Sequence, residues 1–287
     1  VVRPEVRRWS EGGRSLQGLD IDPSGERVAV GYSAAPRVEI YDAETLERRE
    51  IADMQGSAGP PLGSVMWSGD GRTLYAAGDR SVKRQTVLRL WRVGADGRLD
   101  AGRQVPTEAR NTITSLVPCA KEIAYGSADQ VIGLVASDGA PRVALSGAGV
   151  DMRGKVSGRF RVSPDGHRVA FGLGLGSTDA VQFDLESERL AEAPTPPAGL
   201  EPTDTKSLPI TNWLNSTTPK LAGKRIEIAP GDRSRSLAIA PDRKRFVLGT
   251  NWMVVAFDDN ARRLWRYVGP SAAWGVTITR DGQRVGA

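Results

Sequence analysis

The sequence predicts an all-β fold, a β-propeller made of four-stranded blades, and three observations lead to this prediction. Short segments of alternating or branched apolar residues recur along the 287 residues. Turns of the Pro-Asp-Gly type separate the first two segments of most units, and the chain holds 33 Gly and 18 Pro. The turn glycines Gly25 and Gly71 lie 46 residues apart, close to the roughly 40–45 residues of a four-stranded blade.

The first unit shows the pattern in full. Its four strands are predicted at 16–21, 27–32, 37–41 and 46–51. Pro23 presets the backbone of the first turn, and Gly25 accepts the positive φ that other side chains resist. Asp20, Asp22 and Gly25 also imitate the start of a calcium loop, but the acidic residue expected at its twelfth position is missing. We therefore interpret Asp22 as a turn former.

Later units repeat the pattern with changes at the turn. The second turn is 68–71, with a third strand at 86–93, and Pro164-Asp165-Gly166 forms the fourth turn. Cys119-Ala120-Lys121 replaces the turn in the third unit, and Pro241-Asp242-Arg243 replaces it in the fifth. The sixth unit stops after two strands. We expect one domain over 1–287, with five blades and a partial sixth, truncated from a longer chain because an open sheet edge needs a partner.

The interval between the fourth and fifth turns contains extra sequence. From Gly166 to Arg243 it is longer than one period by thirty residues or more. The excess maps to 187–224, which we predict to be an insertion loop within the fourth blade, provided that 225–228 is the outer strand of that blade. Its front is rich in Pro and Ala, whereas 210–214, which includes Trp213, is expected to pack down.

Two resemblances follow from these motifs. Leu90-Trp91-Arg92 approaches the end of a WD40 third strand, and an aromatic residue followed by Asp stands there in three other units, at 41–42, 183–184 and 257–258. The chain therefore resembles WD40-type repeats, although the Gly-His element is missing. Residues 212–228, 234–252 and 262–287 resemble the propeller of bacterial multidomain proteins that also carry a caspase-like (metacaspase-type) peptidase domain. That resemblance implies a scaffold or regulatory surface beside a tethered peptidase.

Composition and charge restrict the classes of partner. Lys and Arg number 39 against 34 Asp and Glu, giving a net charge of +5. The basic residues are scattered, so we expect no nucleic-acid binding. No apolar stretch is long enough to span a bilayer, so we expect no membrane partner. A single cysteine, Cys119, excludes an intrachain disulfide and favours a reducing, cytoplasmic location.

Catalytic groups are scarce in this sequence. Cys119 and the one histidine, His167, could pair as nucleophile and base only if the fold brought them within hydrogen-bond reach. We interpret both as structural and predict no catalytic residue, cofactor or metal site. The alternative is a propeller enzyme of the lactonase or quinoprotein type. Such an enzyme holds a metal or cofactor in the central channel with several inward Asp, Glu, Asn or His residues.

The seven tryptophans carry the remaining predictions. Trp67, Trp91, Trp265 and Trp274 fall at strand positions where large rings would fill the wedges between blades. Exposed aromatic and arginine side chains dominate many protein interfaces. The partner-binding candidates are therefore Trp213, Trp252, Arg262 and Arg263. The predicted function is a non-catalytic protein-interaction or regulatory scaffold.

Overall fold

The computed structural model describes residues 16–54, 59–80, 86–119, 122–129, 131–136, 138–145, 160–162, 168–171, 181–184, 187, 189–192, 208–269, 272–279 and 281–287. These residues belong to two compact units, one within Trp9–Leu200 and the other within Glu201–Ala287. A membrane-spanning helix, which needs about 20 mostly apolar residues, is not found within these ranges.

The first unit contains four antiparallel sheets of four strands each, in which neighbours in sequence are neighbours in the sheet. The first sheet consists of β1 (Leu16–Ile21), β2 (Arg27–Tyr32), β3 (Val38–Asp42) and β4 (Arg48–Ile51). The second consists of β5 (Ser64–Trp67), β6 (Thr73–Arg80), β7 (Thr86–Arg92) and β8 (Arg103–Val105). The third consists of β9 (Ile113–Cys119), β10 (Glu122–Ser127), β11 (Ile132–Ala136) and β12 (Pro141–Leu145). The fourth consists of β13 (Phe160–Val162), β14 (Arg168–Phe171), β15 (Val181–Asp184) and β16 (Arg189–Glu192).

The turn between β1 and β2 shows why the strands begin and end where the sequence predicts. Gly25 has a φ of 79°, which glycine adopts without steric cost. The Asp22 carboxylate accepts hydrogen bonds from the main-chain N–H groups of Glu26 and Arg27, at 2.9 and 3.0 Å. The interpretation of Asp22 as a turn former is therefore confirmed.

The first three sheets of this unit pack face to face through apolar side chains. Val38 and Ile40 of the first sheet share a buried cluster with Val65, Leu74 and Trp91 of the second. A second cluster joins the other face of the second sheet to β9, β10 and β11 of the third. Because strand side chains alternate between faces, each sheet can supply two such faces.

The second unit contains three sheets. A three-stranded sheet consists of β17 (Ile210–Thr211), β18 (Lys220–Leu221) and β19 (Lys224–Arg225). A four-stranded sheet consists of β20 (Ser234–Ile239), β21 (Arg245–Thr250), β22 (Met253–Asp258) and β23 (Arg263–Val268). A two-stranded sheet consists of β24 (Thr277–Ile278) and β25 (Val285–Gly286). Among the described residues, the five four-stranded sheets agree with the predicted four-stranded blades, and the three-stranded sheet β17–β18–β19 is an addition that the sequence prediction did not contain.

The outer strand of the fourth sheet differs from the prediction. Residues 225–228 do not supply it, because β16 pairs with β15 from Val181↔Glu192 to Asp184↔Arg189. Strands that are adjacent in sequence usually pair, and β16 follows β15 closely. The prediction that 187–224 interrupts the fourth blade is therefore wrong in its boundaries. Its first part holds β16, residues 193–207 lie outside the described residues, and its last part builds the small sheet β17–β18–β19.

Candidate partner-binding surface

Three large apolar side chains are exposed at one end of the sheet β20–β23. Trp252 lies in the hairpin between β21 and β22, Val268 ends β23, and Trp274 follows in the chain toward β24. Their exposed fractions are 59%, 62% and 60%. The Gly269 N–H donates to the Trp252 carbonyl at 2.9 Å, so the chain leaving β23 is bound to this hairpin.

Arg235 of β20 lies at the same end of the sheet. Its guanidinium carbon is 4.8 Å from the centre of the Trp274 ring, within the range of a cation–π contact. Its Nε donates to the Asn251 side-chain oxygen at 2.6 Å, and Nη1 donates to the Asn215 side-chain oxygen at 2.5 Å. The side chain is thus held at three points. We call Arg235, Trp252, Val268 and Trp274 the tryptophan surface.

A buried carboxylate fixes the hairpin that carries Trp252. The Thr250 hydroxyl donates to Asp232 Oδ2 at 2.5 Å, and the Asn251 N–H donates to Asp232 Oδ1 at 3.0 Å. The Thr250 Oγ1 also accepts from the Met253 N–H at 2.9 Å. Asp232 is 1% exposed, so these bonds satisfy a charge that would otherwise be costly to bury. The hairpin is therefore held from its buried side by three hydrogen bonds.

A similar link occurs in the third sheet. The Ser127 hydroxyl donates to the Asp129 carboxylate at 2.6 Å and accepts from the Val131 N–H at 3.1 Å. The other carboxylate oxygen of Asp129 accepts from the Arg110 N–H at 2.7 Å. The sequence has no Gly-His element. In the third sheet and in the sheet β20–β23, a hydroxyl that is hydrogen-bonded to an aspartate links the hairpin between the second and third strands.

Trp213 is not exposed, contrary to the prediction that it is a partner-binding anchor. Its exposed fraction is 6%, and it packs with Ile210, Leu221, Phe246 and other apolar residues. The small sheet β17–β18–β19 covers one face of β21 and β22, and Trp213 is part of that cover. Only the expectation that 210–214 packs down is confirmed.

Arg262 and Arg263 lie at the other end of the sheet from Trp252. Met253 pairs with Val268, whereas Phe257 pairs with Arg263. The six residues of β22 separate the two ends by about 17 Å. Both arginines are exposed, and Arg262 Nε lies 3.5 Å from Asp258 Oδ2. The structure therefore does not bring them to Trp252, and Arg235 is the arginine beside the exposed rings.

The four tryptophans predicted to fill the core differ in how deeply their side chains are buried. Trp67 and Trp91 are buried, at 2% and 0% exposure, as expected. Trp265 is half-buried against the cluster of Val247, Val254 and Ala256. The prediction for Trp274 is wrong, because its side chain is 60% exposed, with the Arg235 guanidinium over its ring.

A buried polar cluster in the first sheet was missed by the sequence prediction. Glu39 of β3 is 0% exposed and accepts hydrogen bonds from the hydroxyls of Tyr32, at 2.5 Å, and Tyr41. The Arg37 guanidinium pairs with its other oxygen. Burial opposes ionisation, but the two phenols and Arg37 lower the pKa of Glu39. The sequence signal for this cluster was a charged residue, Glu39, inside the largely apolar strand Val38–Asp42.

The two residues considered as a catalytic pair cannot be compared, since their side chains lie outside the described residues. His167 lies outside the described residues, and the Cys119 side chain does too. Within the described residues, no group of three or more His, Cys, Asp or Glu side chains could hold a metal ion. The pairing of Cys119 and His167 stays untested.

Comparison with known proteins bears on the fold. No family model and no curated protein matches the chain. Among solved structures, it is similar to the crystal structure of RRP9 WD40 repeats, with a TM-score of 0.63, 11% identity, and coverage of 96% of this chain and 87% of that chain. It is also similar to the structure of U3-55K, with a TM-score of 0.62, 10% identity, and coverage of 96% and 88%. Together with the four-stranded antiparallel sheets, this likeness shows that the chain has the WD40-like β-propeller fold.

Proposed function

We propose that this chain is a non-catalytic protein-interaction scaffold and that a protein partner docks on the tryptophan surface. The observation that carries the proposal is the exposure of two indole rings at one end of one sheet. Among the described residues, five large apolar side chains are exposed: Leu16, Ile51, Trp252, Val268 and Trp274. Three of the five belong to this surface.

Exposed apolar groups gathered in one place are a common sign of a binding site. Tryptophan and arginine are also the residues most enriched among those whose truncation weakens binding. The surface combines both, on a hairpin that Asp232 holds from below. Binding to such a surface requires little ordering of the protein, which lowers the entropic cost of association.

A randomised peptide display library selected on the wild-type protein tests the surface. We expect the selected peptides to lose binding to a Trp252→Ala, Trp274→Ala double variant by about 2 kcal/mol or more, since truncated interface tryptophans commonly cost that much. Folding stability should change by about 1 kcal/mol or less, because both rings are exposed. Titration and thermal denaturation provide the two readings.

An Arg262→Gln, Arg263→Gln double variant is the matched control. It alters exposed residues at the opposite end of the same sheet and should bind the selected peptides as wild type does. Selected peptides that bind the tryptophan double variant unchanged, or that need Arg262 and Arg263 instead, would contradict the proposed surface.

We further propose that one partner is a caspase-like peptidase domain carried by the same polypeptide. The resemblance of residues 212–228, 234–252 and 262–287 to propellers of that class supports this proposal. The coding sequence on either side of this chain, read for a peptidase domain with catalytic His and Cys, tests it. Flanking sequence without such a domain would contradict the proposal.

A further inference from the structure

We infer that the tryptophan surface recognises an acidic protein segment, in which an Asp or Glu carboxylate binds Arg235 and a neighbouring apolar side chain contacts the indole rings. This inference rests on the proposed function and adds the chemistry of the partner.

The first step is the environment of the Arg235 guanidinium. Its hydrogen bonds within the described residues go to the neutral amide oxygens of Asn215 and Asn251, and its face lies on Trp274. A guanidinium has five N–H groups, and these two bonds use two of them. The side chain is therefore oriented in advance, and within the described residues its N–H groups are hydrogen-bonded to neutral oxygens rather than to a carboxylate.

The nearest aspartate in sequence, Asp232, makes no hydrogen bond with the Arg235 guanidinium within the described residues. Asp232 accepts hydrogen bonds from the Thr250 hydroxyl and from the N–H groups of Asn251 and Arg233. Arg233 itself is exposed, and its Nη1 donates to the Asn215 carbonyl at 3.1 Å. Two guanidinium groups at this end of the sheet are thus held by neutral acceptors.

The opposite end of the same sheet shows the contrast. There Arg245 pairs with Asp242 at 3.0 Å, and Arg262 lies 3.5 Å from Asp258. Arg245 and Arg262 therefore have carboxylate partners, whereas Arg235 at the tryptophan surface is bonded to amide oxygens. Charge complementarity favours an anionic ligand at the second end.

A carboxylate fits this arrangement better than a nucleic acid does. A planar guanidinium matches the two oxygens of a carboxylate, and the pair is strongest where the arginine is already fixed. A nucleic-acid strand requires a row of basic groups that follows its phosphates. The tryptophan surface offers Arg235 beside apolar Trp252 and Val268, with Arg233 at the same end of the sheet, so we assign it to an acidic segment of protein.

The test uses the peptides selected on the wild-type protein. We expect them to be enriched in Asp or Glu next to a large apolar residue. In synthetic versions, exchange of the acidic residue for its amide should weaken binding by about tenfold or more, as expected when a charge-assisted hydrogen bond is lost. The Arg235→Gln variant should bind the acidic peptide about tenfold more weakly and no longer discriminate between acid and amide.

Two further variants separate charge from general damage to the fold. Arg235→Lys keeps the charge but lacks the planar fork, so it should restore part of the discrimination. Arg263→Gln removes an exposed arginine at the other end and should bind both peptides as wild type does. If Arg235→Gln does not fold, the acid-to-amide exchange measured on the wild-type protein decides the question.

Each outcome has a distinct meaning. Peptides that need Trp252 and Trp274 but bind equally as acid and amide overturn this inference and leave the proposed surface in place. A thymidine oligonucleotide that displaces the peptides through Arg235 overturns it in favour of a nucleic-acid site. Peptides that do not depend on the two tryptophans overturn the proposed function and, with it, this inference.

Discussion

Asp20 and Glu39 are two carboxylates of the first sheet with opposite electrostatic environments. Burial raises the pKa of Asp20 to about 7, and the hydrogen bond from the Trp67 N–H, at 2.7 Å, offsets only part of that effect. Glu39 is held in its ionised form by Tyr32, Tyr41 and Arg37. At the scale of single residues, ionised Asp20 therefore lowers the stability of the folded protein, whereas ionised Glu39 raises it.

This contrast predicts how stability depends on pH. The pKa of Asp20 rises from 3.8 in the unfolded chain to about 7 in the folded protein. Between those values the unfolded chain has released a proton that the folded protein retains, so raising the pH favours unfolding. The contribution of protonated Asp20 is complete below about pH 4 and is lost as the pH rises through about 7.

An Asp20→Asn variant should therefore gain stability relative to wild type as the pH rises over this window, by up to about 4 kcal/mol in total. Urea denaturation at several pH values measures the difference. Glu39→Gln serves as the comparison. Because the pKa of Glu39 is lowered in the folded protein, wild type loses the stability that ionised Glu39 contributes as the pH falls. The stability of Glu39→Gln relative to wild type should therefore rise as the pH falls, opposite to that of Asp20→Asn. A difference between wild type and Asp20→Asn that stays constant with pH would contradict the prediction.

At the scale of the strands and turns, Arg243 stands where the corresponding turns of other sheets have glycine. Gly25, Gly71 and Gly282 have positive φ, between 68° and 79°, in the turn that joins the first and second strands of their sheets. Arg243 occupies the same place between β20 and β21 with a φ of 57°. A non-glycine residue in this conformation costs about 1–2 kcal/mol, so the turn of this sheet carries strain.

An Arg243→Gly substitution should relieve that strain. Glycine is more mobile in the unfolded chain, which offsets part of the benefit, so we expect a net gain of about 0.5–1 kcal/mol. The midpoint of thermal or urea denaturation reports it. The reverse change, Gly71→Arg, places a side chain where the φ is 68° and should destabilise the protein. A loss of stability in Arg243→Gly would show that the arginine side chain stabilises the turn by more than its backbone costs.

Local patterns explain why the strands could be predicted and the surface could not. The strands of the first sheet follow from alternation and from the turn at Asp22 and Gly25, which involve residues close in sequence. Trp213 is buried because β17–β19 packs against β21 and β22. No local sequence pattern indicates which face of a larger sheet a small sheet will cover. The contact of Arg235 with Trp274 likewise joins distant segments, so the binding role that we propose for it could be inferred only from the fold.

At the scale of the whole molecule, the described residues form two compact units with separate apolar clusters. In the first, Leu90 packs with Tyr75, Ile123 and other residues of the second and third sheets. In the second, Phe246 packs with Trp213 and stacks on Phe257 with ring centres 5.2 Å apart. Regions with their own cores commonly open as separate cooperative units.

Reciprocal core substitutions measured by native-state hydrogen exchange test this separation. Phe246→Leu should lower protection by about tenfold in β20–β23 and leave β5–β11 unchanged, since a truncated core side chain costs on the order of 1–2 kcal/mol. Leu90→Val should do the reverse. The tryptophan double variant should leave both sets of strands protected as in wild type, because its rings are exposed. If either core substitution lowers protection equally in both sets, the two units unfold as one, and stability at the tryptophan surface depends on the whole chain.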